Sequence, residues 1–598
     1  MSDLKPKLKN LPIGVSDWEA IRRADYFFVD KTAQLRNLVS KPKIFLSRPR
    51  RMGKSMLCSM LKNLFTNGVR DFEGTAVHDL WTEDQGSDAV INLSFYRVKG
   101  DNLASFENSL ISKIVTAYKL AGYPEVEAFA QDANNLDNFL DKLNQISRKD
   151  YLVFLIDEWD HPLSSNLGDE EKYNIALTVL QTFYSWLREL DHLRFVLVTG
   201  IMRYKSTSLF TGQDIRDISM DPDYASLVGY THEELITNYA PYIKEAARRL
   251  GISEDELIAQ LEAYYDGFCF DEEAKVKLYS PWDINLFFDA VAPNSSPTKT
   301  PKFQPYWMDS SNAAEALKYY LQSRPTDFKE LCELKYKNTE LTAKAITSPV
   351  DFAQISVLPL LAESGYLTIK GIKQGGSNPT FYCGLPNREV LDEFDWVLMD
   401  HINTRISKSN KKLLSTVKQG LGKALLQGDI KSVCYLLNEI FSGILYDTFK
   451  FPHEALYRTL IAGWFRDVAT EVREETPNYK GRSDIELTIG DKFYVFELKL
   501  IHNITPNDNK RSFKDKYGLL KAASQQIISK GYAVNPHTEG KPVIGVALVI
   551  SNMRRCIAAW HQFDANGGSC GLVSTVNLFT KYLEEQNRQQ NQDSDNLD

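Results

Sequence analysis

Hydrophobic and polar positions repeat in a regular order along the first third of the chain. An apolar run at 43–47 (KIFLS) is followed, after a basic loop, by a segment of helical periodicity, MLCSMLKNLF. A second run covers 89–95 (AVINLSF), and helical stretches follow near 102–121 and 135–147. A third, YLVFLI at 151–156, ends in Asp157-Glu158, and a helix near 171–190 leads to a fourth, LRFVLVT at 193–199. Short apolar runs alternating with helices predict a parallel sheet covered on both faces.

The pattern then changes. Residues 231–266 read as helical, with Thr231 and Glu234 at capping-box spacing. Near 290–305 the composition turns to Pro, Ser, Thr and Asn, which marks a linker or long loop. The stretch 308–450 is mostly helical in pattern, with a hairpin-like section near 364–384. From 453 a helix (HEALYRTLIAGWFRDVATEV) precedes a strand pair, 484–489 and 493–500, turned at Gly490-Asp491. A helix over about 512–530 and a strand at 542–551 follow. The tail from Glu584 is polar and of low complexity, and is read as disordered.

Length and composition narrow the classes. The 598 residues correspond to about three to five domains at roughly 100–200 residues each. Net charge is −8, from 70 basic and 78 acidic residues, which excludes a polybasic coat but leaves room for a local basic patch. Seven scattered cysteines with no CxxC argue against a disulfide framework or zinc ribbon and for a reducing compartment. The N-terminus, MSDLKPKLKNLPIG, has no apolar core of a signal peptide, and no apolar run approaches the roughly 20 residues of a membrane span. The expectation is a cytoplasmic protein without a membrane partner.

Two constellations carry chemistry. The first is Gly53-Lys54-Ser55 between a strand and a helix, the essential end of a phosphate-binding loop. The usual first glycine is Arg48 here. GKS alone is a common string, but an apolar strand ending in Asp157-Glu158 lies about 100 residues on, where the second half of such a pocket belongs. Asp157 and Ser55 would hold Mg²⁺, and Glu158 would polarise the attacking water. The arrangement resembles NTPases with an added strand and a catalytic Glu. Thr199, at the next strand end, is a candidate γ-phosphate sensor. Arg50, Arg51 and Arg203 are candidate phosphate contacts, or plain structural and surface arginines.

The second constellation is Asp484 on one strand with Glu497 and Lys499 on the next, the spacing D-x₁₂-E-x-K. Strand periodicity puts Glu497 and Lys499 on one face, shared with Phe493 and Val495. Two carboxylates can hold a Mg²⁺ that polarises a scissile phosphate, with the lysine positioning water or stabilising developing charge. Glu454, on the leading helix, is a further candidate ligand or a solvated helix acid. Gln526, on the trailing helix, could orient phosphate or water. Residues 501–530 hold Lys510, Arg511, Lys514, Lys516, Lys521 and Lys530 against Asp508 and Asp515, a local excess of four positive charges that suits a phosphate backbone or a solvated helix face. Gly567-Gly568-Ser569-Cys570-Gly571 matches a nucleophile elbow formally, but no His follows it. No zinc-type histidine pair is present, and His453 reads as a helix-start residue.

Several blocks together resemble the AAA-ATPase-like proteins, common in bacteria, that carry a C-terminal PD-(D/E)XK nuclease domain. They are LPIGVSDWEAIRRADYFFVDKT, FLSRPRRMGKSML, FLIDEWDHPL, LVTGIMRYKSTSLFTGQDIRDIS, YYDGFCF with YSPWDIN, and GRSDIELTIGDKFYVFELKL with AASQQIISKGYA. They sample the chain except about 300–450. The resemblance implies an α/β protein. Its AAA-like P-loop domain, of the NTPase class with a catalytic Glu and an additional strand (ASCE), would cover 1–290. A helical middle region (291–450), a restriction-endonuclease-like α/β domain (451–583) and a disordered tail (584–598) would follow. It also implies ATP and Mg²⁺ as cofactors, hydrolase chemistry, and nucleic acid, DNA first, as partner, with a homo-oligomer left open. Asp484, Glu497 and Lys499 fall on its nuclease motif and Gln526 on the following A-x-x-Q-I. Arg48 departs from the general loop pattern but fits this family's RPRR-x-GKS. The rival expectations are a nucleotide-switched scaffold with an inactive nuclease fold, and an ATPase machine with no role for nucleic acid.

Overall fold

The computed structural model describes residues 8–565 apart from 82–87, 148–150, 191, 205–206, 208, 210–214, 308–312, 324–327, 349–355, 374–378, 406–410, 445–452, 479, 502–508, 533–535 and 553–554. The tail from Glu584 and the 567–571 string lie outside the described residues. The chain divides into two compact units: Met1–Arg324 with Lys337–Phe394, and Pro325–Tyr336 with Asp395–Asp598. The stretch 291–450 is thus shared between them.

The first unit is built on a five-stranded sheet. Its strands are β1 (Lys43–Ser47), β2 (Ala89–Ser94), β3 (Leu152–Asp157), β4 (Leu193–Gly200) and the two-residue β5 (Arg216–Asp217), in the order β2-β3-β4-β1-β5. All four pairings are parallel. β1, β3 and β4 are apolar along nearly their whole length because helices cover both faces, which leaves no solvent side to alternate with. β4 lies between β1 and β3, so the strand inserted between the two phosphate-site motifs is the one that follows them in sequence. In such a sheet ligands bind beyond the carboxyl ends of the strands. Those ends are Ser47, Asp157 and Gly200.

The helical region predicted at 231–266 is two helices, His232–Leu250 and Glu254–Tyr265, because Gly251 takes φ 72 at the break. The first opens on the expected capping box, Thr231 with Glu234. With Pro281–Asp289 they bury Tyr239, Ile243, Leu261 and Phe288 against Leu11 and Val29 of the N-terminal segment. The hairpin-like section is β7 (Thr368–Lys373) with β8 (Thr380–Gly384), joined by a third antiparallel strand, β6 (Thr339–Thr342), that the sequence pattern did not mark.

The second unit contains the sheet β13-β12-β11-β10-β9. Its strands are β9 (Glu471–Asn478), β10 (Gly481–Ile489), β11 (Lys492–Ile501), β12 (Val543–Ser551) and β13 (Cys556–Asp564). β11 and β12 are parallel, and the other pairings are antiparallel. Helix Glu454–Arg466 precedes the sheet and Asn509–Ser529 connects β11 to β12. The predicted helix 453–472 ends at Arg466, because residues from Glu471 pair with β10 as an edge strand. The six described cysteines are all buried, and none of them is in a disulfide among the described residues. Among the described residues no helix is long and apolar enough to cross a membrane.

The carboxyl end of β4 depends on Gly200. A Cβ there would lie 2.3 Å from Cδ1 of the buried Trp159. Gly200→Ala is expected to destabilise the protein by about 1–3 kcal/mol, the usual cost of overpacking a rigid core. Urea unfolding followed by tryptophan fluorescence measures it, and an unchanged midpoint would contradict this packing.

Candidate functional site

At the end of β1 the loop 48–53 turns into helix Lys54–Asn67 through Gly53 at φ 105, a left-handed conformation that a side chain would strain. Lys54 is buried, and its Nζ donates to the carbonyls of Arg48 and Pro49, both at 2.8 Å. Burial pushes its ammonium down to about 8, against the pull of Asp157, Asp160 and Glu158. Ser55 Oγ and Thr199 Oγ1 each donate to Asp157, to Oδ2 and Oδ1, both at 2.6 Å. Glu158 takes φ 51, rare for a non-glycine residue, and its Oε2 is buried without a hydrogen-bond partner. Burial and the adjacent Asp157 raise its carboxyl.

These groups line one side of a cavity of about 570 Å³, within the range of small-molecule sites. Arg50, Arg51, Gly53, Lys54, Ser55, Asp157 and Glu158 all border it. Its remaining wall is largely apolar: Val15, Phe27, Phe28 and Val29 of the N-terminal segment, with Tyr230 and Trp282. Arg51 stacks on Trp282, 3.9 Å from the ring centre. No residue-level reading of the sequence assigned this wall; only the block resemblance pointed to the N-terminal segment. Thr199 reaches the site through Asp157 alone.

Arg203 corrects an expectation. It is buried, with Nε on Asp217 Oδ2 at 2.8 Å and Nη1 on Glu363 Oε1 at 3.1 Å, and it borders a separate small cavity. Two carboxylates occupy its guanidinium, so it does not face the phosphate loop. Arg48 is likewise structural. Its guanidinium donates to the carbonyls of Ser47 and Ser219 and stacks on Phe270. The side chain that replaces the usual glycine points away from the cavity.

In the second unit the ladder between β10 and β11 runs from Ile489↔Lys492 to Ile485↔Phe496. There Asp484 Oδ2 accepts the N–H of Leu498 at 2.6 Å. The β9–β10 register on both flanks of Asp484 brings it level with Glu475, and the β10–β11 register continued one residue past Ile485↔Phe496 brings it level with Glu497. Glu497 is only 1% exposed. Its Oε1 accepts from Lys499 Nζ at 2.8 Å, and its Oε2 is buried with no hydrogen-bond partner. Burial, with Asp484 and Glu454 nearby, raises its carboxyl to about 8 against the opposing pull of Lys499. Glu454 opens the leading helix, and burial and Asp484 raise it too. His453 caps that helix, its Nδ1 accepting the N–H of Leu456 at 3.2 Å.

Gln526 meets the Tyr532 hydroxyl at 3.5 Å, and Tyr532 lies within the electrostatic reach of Glu497, Asp484 and Lys499. Lys521 and Lys530 are exposed. The side chains of Lys510, Arg511, Lys514 and Lys516 lie outside the described residues. Among the described residues no three His, Cys, Asp or Glu side chains close into a ready-made metal cage. A cation at Asp484 and Glu497 would therefore complete its shell with water and substrate oxygens, the habit of Mg²⁺. The orphaned Glu497 Oε2 fits such a cation. Sequence reasoning missed Arg458, whose Nη1 donates to Glu475 Oε1 at 2.7 Å and Asp484 Oδ1 at 3.1 Å.

A strand-loop-helix phosphate cradle on a parallel sheet and a carboxylate–lysine set on a mixed sheet define a P-loop-type unit and a nuclease-type unit. The comparisons agree. Residues 12–210 match the AAA-ATPase-like family, described as predicted AAA-ATPase, and residues 452–560 match the PD-(D/E)XK nuclease superfamily. The chain carries both regions in that order. It is 27% identical over 562 residues to a protein described as "Uncharacterized protein in vnfD 5′ region" of Azotobacter chroococcum mcd 1, covering 92% of this chain and 98% of that one. The Aeropyrum pernix ORC2 protein, solved as ADPNP-ADP complexes, aligns over 67% of this chain and 97% of its own at 14% identity and a TM-score of 0.20. That likeness carries no argument.

Near pH 8 part of the protein carries a neutral Lys54. A bound polyphosphate favours the charged form, so nucleotide binding near that pH is expected to take up protons and to weaken as pH rises further. Calorimetric titrations in buffers of different ionisation enthalpy measure the uptake; proton release would contradict the assignment.

Proposed function

We propose that the protein is an ATP-binding ATPase coupled to a Mg²⁺-dependent nuclease that cleaves phosphodiester bonds of nucleic acid, DNA foremost. The observation that carries the reading is the pairing, in one chain, of a buried lysine in a phosphate-type loop with a buried Glu-Lys pair beside Asp484. The lysine–carbonyl bonds of the loop hold Lys54 where a β/γ-phosphate would replace those carbonyls as its partner. Ser55 and Asp157 would hold the accompanying Mg²⁺, and Glu158 would orient the attacking water. The apolar wall built from Phe27, Phe28 and Tyr230 suits a nucleobase.

In the second unit Asp484 and Glu497, with Glu454 close by, would hold the other cation. Bound there, Mg²⁺ supplies charge to the phosphate and acidifies a water. Lys499 keeps its proton, since Glu497 raises its pKa above the ordinary lysine value. That favours a role in stabilising developing phosphate charge over one in taking a proton from water. Gln526 and Tyr532 would orient the phosphate, and the basic excess of the sequence over 501–530 would favour a phosphate backbone. A bacterial, cytoplasmic setting accords with the reducing compartment expected from the cysteines.

The test is a cleavage assay with Mg²⁺ and ATP on single- and double-stranded DNA and RNA. Lys499→Ala and Asp484→Ala are expected to lower cleavage by about 10²–10³-fold while retaining ATP binding. Lys54→Ala is expected to lose ATP binding. A wild-type protein that cuts none of these substrates overturns the nuclease reading and leaves a nucleotide-switched scaffold.

A further inference from the structure

No motif marks Arg458, yet it occupies the centre of the second site. β9, β10 and β11 bring Glu475, Asp484 and Glu497 into a row across three adjacent strands. A row of like charges on neighbouring strands is unfavourable unless cations lie between them. It has two gaps. In the gap between Glu475 and Asp484 sits Arg458 Nη1, at 2.7 and 3.1 Å from the two carboxylates. Between Asp484 and Glu497 no described side-chain cation bridges the two carboxylates: Lys499 bonds Glu497 through Oε1, and Oε2 has no partner among the described residues.

We infer that Arg458 is a built-in cation that takes the place of a second metal ion, so that this site receives one divalent cation, between Asp484 and Glu497. The inference rests on the nuclease reading above. Three observations carry it. First, a guanidinium nitrogen bridging two carboxylates does what a bridging cation would do there. Second, Arg458 is not free to leave: it is 6% exposed and stacks on the Tyr336 ring at 4.7 Å. Withdrawing it would leave Glu475 and Asp484 facing each other in a buried place. Third, the local charge fits one ion. With a bound cation drawing the raised carboxyls of Glu454 and Glu497 into their charged form, the described side chains Glu454, Glu475, Asp484 and Glu497 stand against Arg458 and Lys499, an excess of two negative charges, which one divalent cation neutralises and two would reverse.

This makes Arg458 a positioning residue: it fixes Asp484 and touches no reacting atom. The test counts Mn²⁺ bound to the full chain without nucleotide, by calorimetry and electron paramagnetic resonance, and takes as the site's share the ions that Asp484→Asn removes. The wild type is expected to hold one, with the spectrum of an isolated ion. Arg458→Met is expected to gain a second, spin-coupled to the first, and Arg458→Lys to keep one. Two Mn²⁺ in the wild type, or a folded Arg458→Met that holds one, would overturn the proposal. Should Arg458→Met fail to fold, as judged by its thermal melt, the wild-type count decides alone. A wild type that loses no Mn²⁺ on Asp484→Asn overturns the metal-site reading beneath the proposal, an outcome distinct from a count of two.

Discussion

Asp157 at the end of β3, and Asp484 and Glu497 within β10 and β11, are carboxylates buried out of reach of water. A charge in such a place is tolerated only with an opposite charge or a full set of hydrogen bonds beside it. This constraint orders both units. Asp157 is held by two hydroxyls and a backbone N–H, Arg203 by two carboxylates, and Arg458 by two more. The atoms left over are informative for the same reason. Glu158 Oε2 and Glu497 Oε2 are buried acceptors without a donor, and a ligand that supplies positive charge or a proton would meet both needs.

The two units reach this state from different backbones. In the first, parallel strands end at one edge, and the turn from β1 into its helix brings Lys54 and Ser55 beside Asp157 and Glu158. In the second, an antiparallel ladder stops at Ile485, and a side-chain carboxylate takes the backbone N–H that the ladder leaves. One arrangement sets Lys54 among carboxylates at a strand end, and the other sets carboxylates side by side with Arg458 and Lys499 between and beside them.

β1, β3 and β4 of the parallel sheet were legible because strands buried on both faces are apolar nearly throughout, and the edge strand β2 by its apolar start; their boundaries came within a residue or so. The strands that went unread are ones whose pattern is set by neighbours. β9 reads EVREETPN and resembles the tail of a helix, because its acids answer to Arg458, Arg466 and Lys335 rather than to solvent. Arg203 was open between a phosphate contact, because it follows a strand end, and a plain structural or surface arginine. Its partner Glu363 lies 160 residues away, and no local pattern reveals a pairing of that range. Lys54 and Asp157 were legible as candidates because each sits at a helix or strand terminus, and Asp484, Glu497 and Lys499 because each has a chemically matched neighbour at motif spacing; the structure places these three inside β10 and β11. Arg458 was not, since an arginine on the second turn of an apolar helix has many ordinary explanations.

The second unit takes in Pro325–Tyr336, a short piece of chain flanked on both sides by residues of the first unit. Its Lys335 is buried between Asp395 and Glu474, at 2.5 and 2.8 Å, and its Tyr336 hydroxyl bonds to Glu474. The boundary of the nuclease-type unit is therefore discontinuous in the gene. A coding segment cut at the start of the C-terminal family match would lose the lysine that neutralises Glu474 and the ring on which Arg458 rests. Transfer of that unit to another protein by simple end-to-end fusion would therefore have to carry the upstream piece as well.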